Sequence, residues 1–288
     1  MIKTLDITKG ESENLYKYLS SSVTPRPIAL VSTIDKLGRK NLAPFSFFNV
    51  FSISPPILVF SPAKNSRLLK NKDTLENILQ VKECVVALVT ESMAQQVSLA
   101  PCGYEEDVNE FDKAGFTELK SEIVTPSRVK ESPVNFECKI NNVIKLGEDG
   151  GAGNLVIAEI LKIHLHSSIL DKDEQINPFK LNIISRYGGD WYGKTTKDSL
   201  YQIEKPLSRL GMGIDKLPSE IKNSEILSGN ELAILASAEC VPKKEEFLLR
   251  DNKSLKEKHI LAKEFLQNNK PDQIIFTAGD SWAYENSW

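Results

Sequence analysis

The chain has 288 residues, 41% of them apolar and 26% charged, with a formal net charge of −3. That length and apolar share suffice for one large domain, or for one domain with a substantial extension. The slight acidity sets up no field that would draw nucleic acid or an acidic membrane surface, so neither is expected as a partner. Residues 1–10 lack the apolar stretch of a secretion signal, and runs such as 84–89 are too short to cross a bilayer, so a soluble cytoplasmic protein is expected. Cys84, Cys102, Cys138 and Cys240 are widely spaced without a CxxC pair and read as reduced, structural thiols.

In chain order, the apolar and β-branched stretch 28–34 predicts a strand and Asp35-Lys36-Leu37-Gly38 a turn. Residues 41–51 then resume an extended, aromatic-rich pattern, which makes the pair a hairpin. Pro55-Pro56 excludes helix and introduces a strand at 57–60. Asp73 is placed to cap a helix, with Glu76 at the reciprocal capping-box position and Leu75, Ile78 and Leu79 on the buried face. An apolar strand follows at 84–89, then a short helix with Met93, Val97 and Ala100 on one side.

Two long strands, 136–146 and 155–166, flank Gly147-Glu148-Asp149-Gly150-Gly151-Ala152-Gly153. That spacer has neither a GxxxxGK[ST] nor a GxGxxG pattern and joins two strands, so it predicts a hairpin loop rather than a phosphate loop. Glu159 interrupts the apolar face of Leu155, Ile157, Leu161 and Ile163, through either a bulge or a buried partner. His164 and His166 share a strand face, but no carboxylate or cysteine in sequence completes a metal site, and none is expected.

Many strands, short helices and no βαβ alternation predict a mainly β protein: a barrel with peripheral helices. The character changes near residue 208, with Leu210-Gly211-Met212-Gly213, a helix at 254–268 and a last strand at 273–276. The expected organisation is a barrel at 1–207 and an α-rich C-terminal extension at 208–288 packed on it.

Thr24-Pro25-Arg26-Pro27-Ile28-Ala29-Leu30-Val31-Ser32-Thr33 and Asn41-Leu42-Ala43-Pro44-Phe45-Ser46-Phe47-Phe48-Asn49 resemble two signatures of the flavin reductase-like family of FMN-binding split barrels. Pro55-Pro56, and Lys72-Asp73-Thr74 with Asn77 one turn on, match further blocks in the right order. Ser132 to Cys138 and Asn154 to Glu159 resemble its closing strands, so the likeness spans about residues 20 to 206. The resemblance implies a six-stranded split β-barrel, bound FMN, and a homodimer with flavin near the subunit interface. Its members include NAD(P)H:flavin oxidoreductases, reductase partners of flavin-dependent monooxygenases, and flavoredoxin-like electron carriers. The leading expectation is hydride transfer from NADH or NADPH to flavin; the alternative is a non-enzymatic FMN-bound carrier of the flavoredoxin type.

FMN needs a cradle for its phosphate and a flat slot for its ring. Residues 66–74 offer cations including Arg67, a threonine hydroxyl and helix-start amides, although a capped helix with exposed lysines explains the same residues. With the resemblance, Lys72 and Thr74 become phosphate ligands, while Asp73 shapes the turn. Small Ala43 and Ser46, beside Pro44 and Phe45, let backbone approach a flavin edge, and Ser46 and Asn49 carry suitable side-chain donors. Phe45, Phe47, Phe48 and Phe51 fit barrel core better than ring stacking. Arg26 reaches either phosphate or a dimer salt bridge. Ser61-Pro62-Ala63 ends a strand beside the same slot, and Ser185 to Tyr192 echoes a late family segment whose aromatics cover flavin or nicotinamide, or simply pack as a surface loop. Hydride chemistry belongs to the cofactors, so no catalytic acid or base is expected.

Overall fold

The computed structural model describes residues 2–9, 14–64, 70–102, 104, 108–203, 213–237, 276–278 and 280–282. The chain divides into two units, Met1–Tyr201 and Gln202–Trp288. The expected helix at 254–268 and the cysteine at 240 lie outside the described residues. Described parts of the second unit are α6 (Ser219–Lys222), α7 (Gly229–Ser237) and a hairpin of β13 (Phe276–Ala278) and β14 (Asp280–Trp282), all numbered after the elements of the first unit.

The first unit opens with α1 (Leu15–Ser22), the short β1 (Arg26–Pro27), β2 (Ala29–Ile34) and β3 (Lys40–Phe45). β2 and β3 form the expected hairpin, with Ala29 opposite Phe45 and Ile34 opposite Lys40. Its turn is tied by Asp35, whose carboxylate accepts from the amides of Leu37 (2.9 Å) and Arg39 (2.8 Å), while Gly38 takes the left-handed conformation (φ +85°) that closes it. Next come β4 (Phe48–Ile53), β5 (Pro56–Phe60), α2 (Asp73–Gln80), β6 (Glu83–Leu88), α3 (Ala94–Leu99) and α4 (Glu110–Ala114). The small pair β7 (Glu118–Leu119) and β8 (Arg128–Val129) precedes the long β9 (Val134–Lys145) and β10 (Asn154–Leu165). α5 (Pro178–Leu181), β11 (Ile184–Arg186) and β12 (Tyr192–Lys194) close the unit, with β1 paired to β11.

Seven strands form one antiparallel sheet in the order β3-β2-β6-β9-β10-β5-β4. Its edge strands β3 and β4 are not hydrogen-bonded neighbours, yet only Ser46 and Phe47 join them. A chain of that length reaches at most about 11 Å, so the sheet must curl until its edges meet at this corner. The result is a barrel split along the β3–β4 seam. Six strands were implied; the seventh arises because 41–51 breaks at Ser46-Phe47 and its two halves join opposite edges.

Alternation along β2 explains the burial of both its faces. Ala29 and Val31 join an inner core with Phe45, Phe60, Cys84, Val86 and Val156, into which α2 inserts Leu75 and Ile78. Ile28 and Leu30 face an outer core with Ala87, Met93, Val97, Ala100, Phe111 and Ala114, the layer covered by α3 and α4. Cys84 and Cys138 are buried opposite one another on β6 and β9, whereas Cys102 is exposed.

Three expectations are corrected in detail. Lys72 occupies the N-cap of α2, so Asp73 is the first helical residue, and no side chain among the described residues caps the helix. Leu79 is exposed, because the buried stripe of α2 runs through Thr74, Leu75, Asn77 and Ile78 instead. On β10 the buried residues are Asn154, Val156 and Ala158, while Leu161 and Ile163 are exposed. Bulges after Ile157 and Ile160 shift the register there, and Glu159 turns to Lys139 (3.1 Å) and Asn141 (2.8 Å).

Candidate functional site

Where β3, α2 and α4 meet, a cavity of about 560 Å³ opens, lined chiefly by polar side chains. Among the expected site residues Asn41, Asp73 and Asn77 are in its wall. Lys64, Lys70, Arg39 and Lys40 bring cations to the same wall. Three of these already hold anionic partners: Arg39 with Asp35 (2.6 Å), Lys40 with Glu118 (2.7 Å) and Lys64 with Glu148 (3.4 Å). No ion pair is found for Lys70 among the described residues.

A buried polar chain lies beneath the cavity. The Thr74 hydroxyl, on a residue 1% exposed, donates to Asn41 Oδ1 (2.6 Å), and Asn41 Nδ2 donates to Glu110 Oε1 (2.9 Å). The Leu42 amide donates to Glu110 Oε2 (3.0 Å), and Asn77 Nδ2 reaches Thr33 Oγ1 (3.2 Å). Thr74 is therefore not part of the cavity lining, and its hydroxyl proton is given to Asn41. Lys72 is exposed between the lining residues Asn71 and Asp73, and Arg67 lies outside the described residues. Burial pushes the Glu110 carboxyl above its usual range, the Leu42 amide and Asn41 oppose this, and nearby Asp73 adds to it.

Glu110 escaped the sequence reading. Asn109 caps α4 by accepting from the Phe111 amide (3.1 Å), and Gly115 ends it in the left-handed region (φ +68°). Within that turn Glu110, Phe111 and Ala114 share the buried side. A carboxylate on an apolar helical stripe was the signal available.

The Ala43–Ser46 end of β3 forms the second part. Phe45 is in the inner core, 5.6 Å from the Phe60 ring, and Phe48 packs against that core, whereas Phe47 and Phe51 are exposed and do not join the core expected for them. Ala43, Pro44 and Ser46 are half-buried, and Asn49 is exposed with its side chain accepting from the Val50 amide (2.8 Å). Arg26 is buried. Its guanidinium donates to the carbonyls of Ser20, Val23 (2.8 Å) and Tyr187 (3.0 Å), and Nε reaches Ser46 Oγ at 3.4 Å. These bonds make Arg26 a clamp between α1, Ser46 and the 185–192 segment, a task outside both alternatives read from sequence.

Ser61-Pro62-Ala63 runs beside this end. The Ser61 amide donates to Phe47 O (2.9 Å), Asn154 Nδ2 donates to Pro62 O (3.0 Å), and the Lys64 amide donates to Ala152 O (2.9 Å). The glycine-rich loop is the expected β9–β10 hairpin, and it also braces this strap. A Cβ on Gly153 would lie 2.7 Å from Ser61 Oγ, so a larger residue there would push the Ser61 hydroxyl aside. Tyr187, Trp191 and Tyr192 line a separate, open pocket with Ser21, Gly188 and Gly193. His164 bonds Glu137 (2.7 Å) and His166 bonds Ser168 (2.7 Å), so the two rings serve different partners. Among the described residues no helix is long and apolar enough to cross a membrane.

A split barrel with a polar, cation-bearing cavity beside a half-buried strand end defines the class of protein. A family model described as flavin reductase like domain matches residues 20–180, and the chain belongs to that family. An uncharacterized protein of Aquifex aeolicus is 38% identical over 189 residues, covering 65% of this chain and 93% of the relative. Among solved structures, nitrilotriacetate monooxygenase component B from Bacillus cereus is 28% identical with a TM-score of 0.65, covering 71% of this chain and 99% of that one. Flavoredoxin of Desulfovibrio vulgaris (Miyazaki F), 18% identical with a TM-score of 0.53 over 63% of this chain and 91% of its own, shares the fold.

Proposed function

We propose that the protein is an FMN-binding oxidoreductase that accepts reducing equivalents from NADH or NADPH. The observation that carries this reading is the cavity at Asn41, Asp73 and Asn77, with Lys64 and Lys70 in its wall, lying within the span of the family match. For a phosphate the recess offers chiefly the Lys70 ammonium: Lys64 is paired with Glu148, the amides of Asn41, Asn71 and Asn77 already donate to Glu110, Glu76 and Thr33, and the carboxylates of Asp35, Asp73, Glu76 and Glu110 line the same wall. In this reading the FMN phosphate sits toward Lys70, Lys72 and Asn77, with Arg67 from the adjoining segment. The ring lies along Ala43, Pro44, Ser46 and Ser61 to Ala63, with Asn49 at the margin. Arg26 holds Ser46, and Thr74 holds Asn41.

When bound, flavin would supply the redox chemistry, acceptance of a hydride from a reduced nicotinamide with a proton from solvent, while Ala43, Pro44, Ser46 and Ser61 to Ala63 would hold its ring. The protein's share is alignment and exclusion of competing reactions, so no side chain is assigned an acid or base role. We assign the C-terminal residues 208–288 to an extension of the barrel.

Dimerisation belongs to the same reading. Phe51 and Ile53 on the edge strand β4 are 68% and 82% exposed, and Leu161, Ile163 and Leu165 on β10 are exposed as well. Apolar side chains and an unpaired edge of this kind call for cover, and a second copy supplies it. A monooxygenase or another redox protein is the proposed downstream partner, in keeping with the component B likeness.

An absorbance spectrum of the purified protein, followed by anaerobic titration with each nicotinamide, tests the reading. Stoichiometric bleaching of bound flavin by NADH or NADPH is expected. A flavin-loaded protein inert to both would be an electron carrier of the flavoredoxin type, and a protein that takes up no flavin would end the proposal.

A further inference from the structure

We propose that Glu110, which lies on α4 outside the matched signature blocks, is a positioning residue that fixes Asn41 in a single amide orientation at the flavin cavity. The inference rests on the flavin reading above. An ionised carboxylate accepts hydrogen bonds and has no proton to give. Glu110 Oε1 faces Asn41 at 2.9 Å and Oε2 faces the Leu42 amide at 3.0 Å, so the carboxamide must present its nitrogen to Glu110. Its oxygen then turns the other way, where the Thr74 hydroxyl donates at 2.6 Å and Thr33 Oγ1 lies 3.4 Å away. Asn77 Nδ2 donates to Thr33 Oγ1, which leaves the Thr33 proton free to point at Asn41. The direction of every bond in the chain follows from the one member that cannot donate.

Position and cost support the assignment. Glu110 is 8% exposed and no ion pair is found for it among the described residues, an expensive placement for a carboxylate beside Phe111 and Ala114. An apolar side chain would pack there at lower cost. What a carboxylate adds is polarity: it links α4 to β3 and α2, and Asn41, Asn77 and Glu110 all reach the same cavity wall. A reversed Asn41 would turn an N–H where the structure has an oxygen, next to the donors Thr74 and Thr33.

The test is calorimetric titration of FMN into the full-length protein in mildly alkaline buffer, with a thermal melt of each apo variant. Glu110→Gln keeps the shape but offers an N–H to one of its two donors. We expect it to stay folded and bind FMN about tenfold more weakly. Combining Glu110→Gln with Asn41→Asp moves the acceptor-only group across the bond and satisfies every donor again; this pair is expected to regain part of the affinity lost in Glu110→Gln, the new carboxylate in the cavity wall holding it below the parent. A purely structural Glu110 would lower the melting temperature and leave the affinity of folded protein unchanged, which would overturn the proposal. If Glu110→Gln does not fold, the exchanged pair decides: folded with FMN binding restored supports the inference, and folded with binding still lost overturns it. A parent protein that binds no FMN sinks the flavin reading itself, and this inference with it.

Discussion

Glu137 and Glu110 are both buried carboxylates in the barrel unit, and their surroundings push them in opposite directions. Glu137, on β9, is fully buried, and burial alone would raise its pKa. The amides of Glu122 (2.9 Å), Ile123 (2.6 Å) and Val124 (3.1 Å) and the ring of His164 overcome that and lower it to about 2. Glu110 has one amide and one carboxamide, and burial prevails. Donor number and neighbouring charge act together here: Arg128 lies 3.9 Å from Glu137, whereas Asp73 adds its negative charge to the burial of Glu110. Glu137 therefore reads as an anchor that pins the 122–124 loop to β9. Glu110, its carboxyl raised by burial, lines a cavity, the setting in which a perturbed carboxylate marks a candidate functional site.

Removing the anchor has the largest expected effect. Glu137→Ala leaves three amides and His164 without their acceptor and is expected to cost roughly 3–5 kcal/mol in denaturant unfolding. Glu110→Ala, which strands only two donors, is expected to cost less; equal losses would erase the contrast.

Acid sharpens the same contrast. Glu137 has a folded pKa of about 2 against an ordinary 4.5, so its stabilisation is complete above 4.5 and is lost as pH falls from there toward about 2. Glu110 contributes with the opposite sign, since its raised folded pKa favours the native state as protons bind. Unfolding free energy measured across that window should fall steeply in the parent and more gently in Glu137→Gln. Parallel curves would remove Glu137 as the acid-sensitive group.

Smaller effects test the cavity wall. Thr74→Val removes the hydroxyl that donates to Asn41 and is expected to cost about 1 kcal/mol of stability, with FMN binding weakened only a few-fold. Thermal melts and titration of the folded variant measure both. Gly153→Ala should displace Ser61 and lower flavin affinity slightly with little change in melting temperature; an unaltered affinity would detach the strap from the slot.

The barrel was legible where one rule dominated. Short continuous apolar, β-branched runs located β2 and β6, Pro55-Pro56 introduced β5, and Asp35 with Gly38 announced the first hairpin. The break at Ser46-Phe47 was not legible, because 41–51 keeps an extended pattern throughout and only the curling of the sheet assigns its halves to different edges. On β10 the interruption of the apolar run by Glu159 offered a bulge as one of two readings, and the structure has two, flanking Glu159, which change which side chains face the core. Asn41, Asp73 and Asn77 were named as candidates through ordered motifs, and the structure brings them to one cavity. Glu110 and Arg26 resisted because their tasks are set by partners distant in sequence: Asn41 for one, the Tyr187 carbonyl for the other.

The central claim is that this cavity holds the phosphate end of FMN, and comparing FMN with riboflavin tests it most directly. Lys72 is exposed beside the cavity, and a charge-assisted contact there is worth about one decade of affinity. Calorimetric titration of both flavins into the parent and Lys72→Ala is predicted to show FMN weakened roughly tenfold and riboflavin, which has no phosphate, bound almost equally by both proteins. FMN affinity untouched by the substitution, or an equal loss for the two flavins, would contradict the account.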